Sequence, residues 1–226
     1  MTAPLTIRKP DGTPKGGVIV IQEAFGVNDH IVEVAQRAAD AGYLAVAPDM
    51  FHRKGENVIV DYDDIKGAIE AMQSVTPEGA ASDIDDAVSY LESEGLSMSQ
   101  IGIVGFCMGG TLVFHTAVRL PLGAAVTFYG GGVATGRMGY ESFIHEVPKL
   151  QAPWLGLFGD LDRGIPVEEL EALRVAGGQV QTELEIVRYP DADHGFNCDG
   201  RPAVYHEASA TDAWKRAIAW FDSHLA

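Results

Sequence analysis

A glycine-flanked cysteine constrains the fold of this chain more than any other feature. Cys107 lies in the pentapeptide GFCMG at 105–109, between an apolar run at 101–104 and a helix-like stretch at 111–119. The pattern predicts a sharp strand-to-helix turn with the thiol at its tip, because a Cβ on either flank would not fit so tight a bend. The turn aims the Met108 amide at the atom the sulfur attacks, and a helix N-terminus favours a thiolate. The motif indicates acyl transfer, although the pentapeptide alone also suits a buried cysteine in an ordinary turn.

Candidates for an acid and a base follow the cysteine in the sequence. Asp162 lies in the loop after the apolar run at 154–158, and His194 lies in the polar loop after a strand predicted at 184–189. The order nucleophile, acid, base is that of the α/β-hydrolase arrangement, in which successive strand ends deliver three groups to one edge of a parallel sheet. Aspartates are also common turn residues, so loop chemistry does not single out Asp162 among the four aspartates of these two loops.

Five segments, in chain order, resemble the dienelactone hydrolase family of α/β-hydrolases. They are 20–28 (VIQEAFGVN), 45–51 (AVAPDMF), 105–110 (GFCMGG), 159–166 (GDLDRGIP) and 194–196 (HGF). The resemblance covers nearly the whole chain. It implies an α/β-hydrolase fold with a mostly parallel central sheet and helices on both faces, in a single domain over 1–226. It also implies hydrolysis of small esters or lactones through a Cys-Asp-His triad and a thioester acyl-enzyme.

The resemblance assigns a role to each matching residue. The family pattern Gly-x-x-Asp-x-x-Ile/Val-Pro puts the acid on Asp162, and the base falls on His194. In the family the glutamate matched by Glu23 contacts the resting thiol, reorients when substrate binds and then helps to take the thiol proton. Read without the family, Glu23 is a polar residue that closes a strand or a carboxylate at a helix start. The backbone amides of Met108 and Ala24 would form the oxyanion hole.

The sequence departs from the family where the substrate carboxylate would bind. Family members that act on dienelactone hold it with two arginines, but residues 55–74 contain no arginine and the position four beyond His194 is Cys198. Arg53 and Arg201 could approach the site from neighbouring loops, and Arg201 is the better substitute. A net charge of −16 repels an anionic substrate at long range, so a carboxylate ligand needs a local cation.

Composition bounds the partners and the compartment. With 46% hydrophobic residues in 226, the chain can bury the core of one globular domain. The balance of 32 acidic against 16 basic residues argues against binding nucleic acid or an anionic membrane. We find no signal-like start and no apolar run of membrane length, so we expect a cytoplasmic monomer or small homo-oligomer. The chemistry implies neither a metal nor an organic cofactor.

Two other functions use the same cysteine. A glutamine amidotransferase-like enzyme also places cysteine on a glycine-flanked turn, but that fold typically carries a His-x-Glu pair, and here Phe196 stands second after His194. A non-catalytic binding or redox-sensing protein could use Cys107 and Cys198 as a switch, and a disulfide between them would block the chemistry. The presence of the acid, the base and Glu23 favours the hydrolase.

The remaining pattern alternates strands and helices. Strands are predicted at 18–22, 43–47, 101–104, 124–129, 154–158 and 184–189, and helices at 28–42, 77–95, 111–119 and 203–224. Asn28 is the predicted cap of the first helix, and Trp214 and Phe221 of the last helix are predicted to be core residues. Residues 52–74 read as a loop plus helix that borders the site, and 130–148 read as irregular.

Overall fold

The computed structural model describes residues 2–225, which build a seven-stranded sheet. The strands are β1 (Leu5–Arg8), β2 (Gly17–Ile21), β3 (Leu44–Pro48), β4 (Ile101–Phe106), β5 (Ala124–Phe128), β6 (Trp154–Gly159) and β7 (Leu184–Tyr189). Their order in the sheet is β1-β3-β2-β4-β5-β6-β7. β1 pairs antiparallel with β3, and the other neighbouring strands run parallel. The predicted mostly parallel sheet is confirmed.

Helices cover the sheet. They are α1 (Asp29–Asp40), α2 (Ile65–Gln73), α3 (Pro77–Ser93), α4 (Met108–Arg119), α5 (Phe143–Glu146), α6 (Val167–Ala176) and α7 (Glu207–His224). Two glycines of β4 show that both faces are covered, since residues three apart on a strand point to opposite sides. A Cβ at Gly102 would meet Phe221 of α7, whereas one at Gly105 would meet Val113 of α4.

The helix boundaries follow local chemistry. The Asn28 side chain accepts a hydrogen bond from the Ile31 amide and so caps α1 as the sequence predicts. Thr76 caps α3, in which Pro77 takes the first position. α4 begins directly after the cysteine, three residues earlier than the helix-like stretch predicts.

The structure differs from the sequence prediction at several points, and α5 and α6 are two helices that were not predicted. β1 was not predicted, because four half-buried residues at a sheet edge give a weak alternation signal. α7 begins at Glu207 rather than at the predicted position 203. The residues before it form a turn in which the Arg201 carbonyl accepts the amides of Val204 and Tyr205. The aromatic side chain of Trp214, predicted to be core, is only half-buried and lies 4.8 Å from the Arg37 guanidinium.

The candidate catalytic side chains lie at one edge of this sheet. The residues just after β2, β4, β5, β6 and β7 include Glu23, Cys107, Tyr129, Asp162 and His194 respectively. These five strands are consecutive in the sheet, and because they are parallel their carboxyl ends meet on one side. No helix within residues 2–225 is long and apolar enough to cross a membrane.

Candidate active site

The cysteine turn is strained. Cys107 has φ 52° and ψ −112°, a left-handed conformation that costs a non-glycine residue about 1–3 kcal/mol. The surroundings hold it there: the Cys107 amide donates to the Phe128 carbonyl at 3.0 Å, and the Thr111 amide donates to the Cys107 carbonyl at 3.2 Å. The thiol therefore stands between the end of β4 and the first turn of α4, as the motif predicts.

The flanking glycines permit a close approach of backbone to backbone. A Cβ at Gly109 would lie 2.5 Å from the carbonyl oxygens of Ile21 and Gln22, and one at Gly105 would clash with the Gly109 backbone. The start of α4 consequently packs directly on the end of β2. That contact brings the cysteine turn beside the segment that carries Glu23.

The acid and base candidates meet in a short hydrogen bond. Asp162 Oδ2 lies 2.6 Å from His194 Nδ1, and Asp162 Oδ1 accepts the Gly164 amide at 2.8 Å. The Leu161 amide donates to the Ala192 carbonyl at 3.0 Å and ties the two loops together. The Asp162 side chain is buried and 31% of the His194 side chain is exposed, so the imidazole can reach both the carboxylate and a ligand.

The other loop aspartates are engaged elsewhere or exposed. Asp160 forms a bidentate pair with Arg188 at 2.8 Å for each bond. Asp193 accepts the backbone amide of the next residue at 2.6 Å, and Asp191 is exposed. Of the four, Asp162 is the one whose carboxylate contacts the imidazole.

Charge coupling links His194 to the thiol. Burial acts to lower the pKa of His194, but the negative charge of a Cys107 thiolate and the hydrogen bonds to Asp162 and Cys107 outweigh it and raise that pKa to about 10. The imidazole thus stays protonated at pH values well above its usual range whenever the sulfur is ionised.

Glu23 is a buried carboxylate with an unusual environment. It is 2% exposed, and neither of its carboxylate oxygens has a hydrogen-bond partner among residues 2–225. Burying an unpaired carboxylate is unfavourable, so the surrounding fold must hold it in place.

Tyr129 lies in the same enclosure, although the sequence analysis missed it. Burial first, and then the charges of Glu23, Cys198 and Cys107, raise its pKa well above the ordinary value. Its ring centroid lies 5.1 Å from that of His194. Tyr129 directly follows β5 and precedes three glycines, and this placement at a strand end is the signal that could have revealed it.

A second thiol lies beside Glu23. The Cys198 thiol is buried and donates to the Tyr62 hydroxyl at 3.4 Å, which in turn accepts the Asn28 side-chain amide at 3.1 Å. Burial and then the Glu23 charge raise the pKa of Cys198 to about 12. Cys198 therefore stays protonated at neutral pH and is a poor nucleophile.

The two amides predicted to form an oxyanion hole lie at the start of α4 and just after β2. Met108 is the first residue of α4, and Ala24 follows the end of β2. Within the described part of the chain, neither amide donates a hydrogen bond to a backbone or side-chain acceptor. Both remain available to a ligand oxygen.

The two arginines proposed for substrate binding differ in their availability. The Arg201 guanidinium lies 5.3 Å from the centroid of the Phe25 ring, and a Cβ at Gly195 would meet its Nη1 at 2.6 Å, so it borders the loop of His194. Arg53 forms a bidentate pair with buried Asp83, at 2.6 and 2.8 Å. Its guanidinium is therefore already paired with a carboxylate of α3.

Across residues 2–225, no group of three or more His, Cys, Asp or Glu side chains has a geometry that could hold a metal ion.

The sheet order, the strained cysteine turn after β4 and the helices on both faces define a protein of the α/β-hydrolase fold. This fold hosts many activities, so the family has to come from sequence.

The sequence pattern of the Dienelactone hydrolase family matches residues 4–225, and the chain belongs to that family. A relative from Escherichia coli O157:H7, provisionally named a carboxymethylenebutenolidase, is 39% identical over 96% of this chain and 80% of its own length. One from Salmonella typhimurium with the same provisional name is 41% identical over 90% of this chain and 76% of its own. A crystal structure from Klebsiella pneumoniae, provisionally named a dienelactone hydrolase, superposes with a TM-score of 0.88 at 37% identity, covering 97% of this chain and 92% of that one.

Replacing the thiol should lower the pKa of His194. Cys107→Ser removes the ionisable sulfur, so the imidazole loses the charge that raises its pKa to about 10 and should release its proton at lower pH. Titrating the histidine ring signals by NMR measures this shift. Cys198→Ser is the matched control and should leave the His194 pKa in place. Equal His194 pKa values in wild type and Cys107→Ser would contradict the coupling.

Proposed function

We propose that this chain is a cysteine-dependent hydrolase of small esters or lactones. The observation that carries the proposal is the placement of His194, which lies 2.6 Å from the Asp162 carboxylate and is coupled electrostatically to the Cys107 thiol. The provisional names of the relatives, carboxymethylenebutenolidase and dienelactone hydrolase, support lactones as the substrate class. The residue roles that follow belong to the proposal.

The first step is attack of the Cys107 thiolate on the substrate carbonyl carbon. The carbonyl π bond breaks as the S–C bond forms, and negative charge collects on oxygen. The free amides of Met108 and Ala24 would donate to that oxygen, and the N-terminus of α4 adds the positive end of its dipole. Donors that are already in place need no reorganisation when the charge develops.

The second step expels the alcohol. The tetrahedral intermediate collapses, the C–O bond breaks, and the His194 imidazolium gives its proton to the leaving alkoxide, which leaves a thioester on Cys107. The now neutral imidazole takes a proton from water as the oxygen of that water attacks the thioester carbon, and the C–S bond then breaks to release the carboxylic acid and the Cys107 thiolate. The hydrogen bond from Nδ1 to Asp162 keeps Nε2 facing the reacting atoms through both transfers.

Glu23 would act before the first attack. The family resemblance implies that it helps to remove the thiol proton, and its buried, unpartnered carboxylate supports that role. A carboxylate with no competing hydrogen bonds is free to move toward the thiol when a substrate displaces its surroundings. The Tyr129 hydroxyl, also buried without a partner among the described residues, would then face the vacated space.

The structure gives less support to the two alternatives. Phe196 is buried against Tyr129 and Tyr189, so the position where an amidotransferase-like pair would carry glutamate is part of the core. A Cys107–Cys198 disulfide switch would use a thiol whose pKa is raised to about 12, so Cys198 would be a slow attacking thiol at neutral pH.

Turnover of p-nitrophenyl acetate and of a simple lactone tests the proposal. Cys107→Ala and Asp162→Asn should each lower kcat/KM by about a thousandfold or more, because triad members act as a unit. Asp160→Asn is the matched control: its carboxylate pairs with Arg188, so it should keep kcat/KM within a few-fold of wild type. Wild-type turnover by Cys107→Ala, or equal losses in the two aspartate variants, would overturn the assignment.

Replacing the buried carboxylate of Glu23 should raise the stability of the protein and lower its activity. Glu23→Gln eliminates the unpaired charge, so the free energy of unfolding should rise by about 1 kcal/mol or more, while kcat falls by about tenfold or more. Urea denaturation and ester turnover on the same samples measure both quantities. Glu92→Gln, an exposed change on α3, should alter neither. An unchanged kcat in Glu23→Gln would remove Glu23 from the mechanism.

A further inference from the structure

A groove lies beside α2, outside the residues that the mechanism uses. Its volume is about 410 Å³, within the range of small-molecule sites. Its walls are mainly apolar and include Ile69, Met72, Val75, Pro77, Arg137 and Met138. Ile69 is 45% exposed, so this apolar wall is open to a ligand.

Arg137 is the one charged residue among the described residues that line the groove. Its Nη2 donates to Met72 Sδ at 3.7 Å, and within residues 2–225 it has no carboxylate partner within 4.0 Å. By contrast, Arg53, Arg119 and Arg188 form close ion pairs. An unpaired guanidinium on an apolar wall is suited to a planar anion, which it can bind through two parallel hydrogen bonds.

A strained turn presents this arginine. Met138 and Gly139 have φ values of 54° and 82°, as in the tight hairpin turns whose central residues are usually asparagine and glycine. The turn is closed by the Tyr140 amide, which donates to the Arg137 carbonyl at 2.9 Å. Tyr140 is anchored in turn by ring stacking on His115, with centroids 4.2 Å apart. The turn therefore fixes the backbone from which Arg137 and Met138 reach the groove wall.

The groove adjoins the candidate active site on two sides. The Arg137 side chain lies against the glycine loop after β5: a Cβ at Gly131 would meet its Nη1 at 2.5 Å. The Gly131 carbonyl accepts the Thr111 hydroxyl at 2.9 Å, from the first turn of α4. On the other side, Met72 packs against the cluster that contains Ala24, one of the two proposed oxyanion donors.

The cavity beside Tyr62 has the opposite charge. Its volume is about 430 Å³, and its lining includes Asp29, Glu33, Asp61 and Asp199. An anionic group would be repelled from those carboxylates and attracted to Arg137. The two cavities therefore differ in the charge that they admit.

We propose that the groove beside α2 binds the acyl part of substrates that combine an apolar chain with a terminal carboxylate, and that Arg137 pairs with this carboxylate. The proposal rests on the proposed ester hydrolysis. It assigns substrate selectivity to a residue from the segment 130–148, which the sequence pattern left irregular.

Binding can be tested without turnover in the Cys107→Ala background. The probes are monomethyl adipate, suberate and sebacate, with methyl hexanoate as the neutral comparison. Adding Arg137→Gln should weaken binding of at least one carboxylated probe by about tenfold or more and change methyl hexanoate binding by less than about twofold. Arg137→Lys should restore part of the affinity, because it restores the charge without the planar fork.

NMR of the methionine methyl groups should also show where the probe binds. In protein carrying labelled methionine methyl groups, carboxylated probes should shift the Met72 and Met138 signals. Arg8→Gln removes the same charge on β1 and is the matched control, so it should leave every probe unaffected. Matching near-ultraviolet circular dichroism of the Arg137 variants and wild type establishes that the fold is retained. Equal binding of carboxylated probes by wild type and Arg137→Gln, equal loss for charged and neutral probes, or no binding of any carboxylated probe would overturn the proposal.

Kinetics separates this proposal from the proposed function. In the protein with Cys107 intact, Arg137→Gln should lower kcat/KM for the carboxylated esters by the same factor as their binding and spare methyl hexanoate. Arg137-dependent binding without hydrolysis of any ester would remove the hydrolase function and retain the groove as a binding site. Hydrolysis that prefers carboxylated esters equally in wild type and Arg137→Gln would retain the hydrolase and remove Arg137 from selectivity.

Discussion

The close packing of the cysteine turn on the end of β2 is the constraint on which the rest of the site depends. Gly109 lies so near the carbonyl oxygens of Ile21 and Gln22 that a Cβ at this position would not fit. Cys107, at the tip of the same turn, has a positive φ. That contact fixes the relation between the thiol, the first turn of α4 and the segment that follows β2. The two candidate oxyanion amides and Glu23 then lie at one place because of backbone packing rather than flexible side chains.

Charge is the second organising feature. The site holds the Glu23 carboxylate, two thiols and the Tyr129 hydroxyl; burial first and then the neighbouring charges raise the pKa of Tyr129 and Cys198, and the charge of Cys107 and the hydrogen bond to Asp162 raise that of His194 against the effect of burial. The net charge of −16 makes the potential around the whole protein negative. An unpaired cation near the entrance of the site therefore has a large effect on which substrates bind.

Much of this arrangement could be predicted from sequence, because it depends on chain order and strand ends. The parallel sheet, the cysteine turn, the Asn28 cap and the family all follow from local patterns. Contacts between distant segments could not be predicted: Arg53 pairs with Asp83 on another element, and loop chemistry alone does not separate Asp162 from Asp160, a choice that the family pattern supplied and that their different partners now explain. Tyr129 has only its strand-end position as a signal and Arg137 has none, so the groups that each one approaches are known only from the folded chain.

Trapping the acyl-enzyme tests the central claim most directly. The protein is mixed with p-nitrophenyl acetate, quenched in acid during turnover, digested and mapped by mass spectrometry. Nucleophilic catalysis at the strained turn predicts one acetyl group on the peptide that contains Cys107 and none on the peptide that contains Cys198, since the latter thiol stays protonated. Continuing turnover with Cys107 unmodified, or an acetyl group carried by another residue, would contradict it.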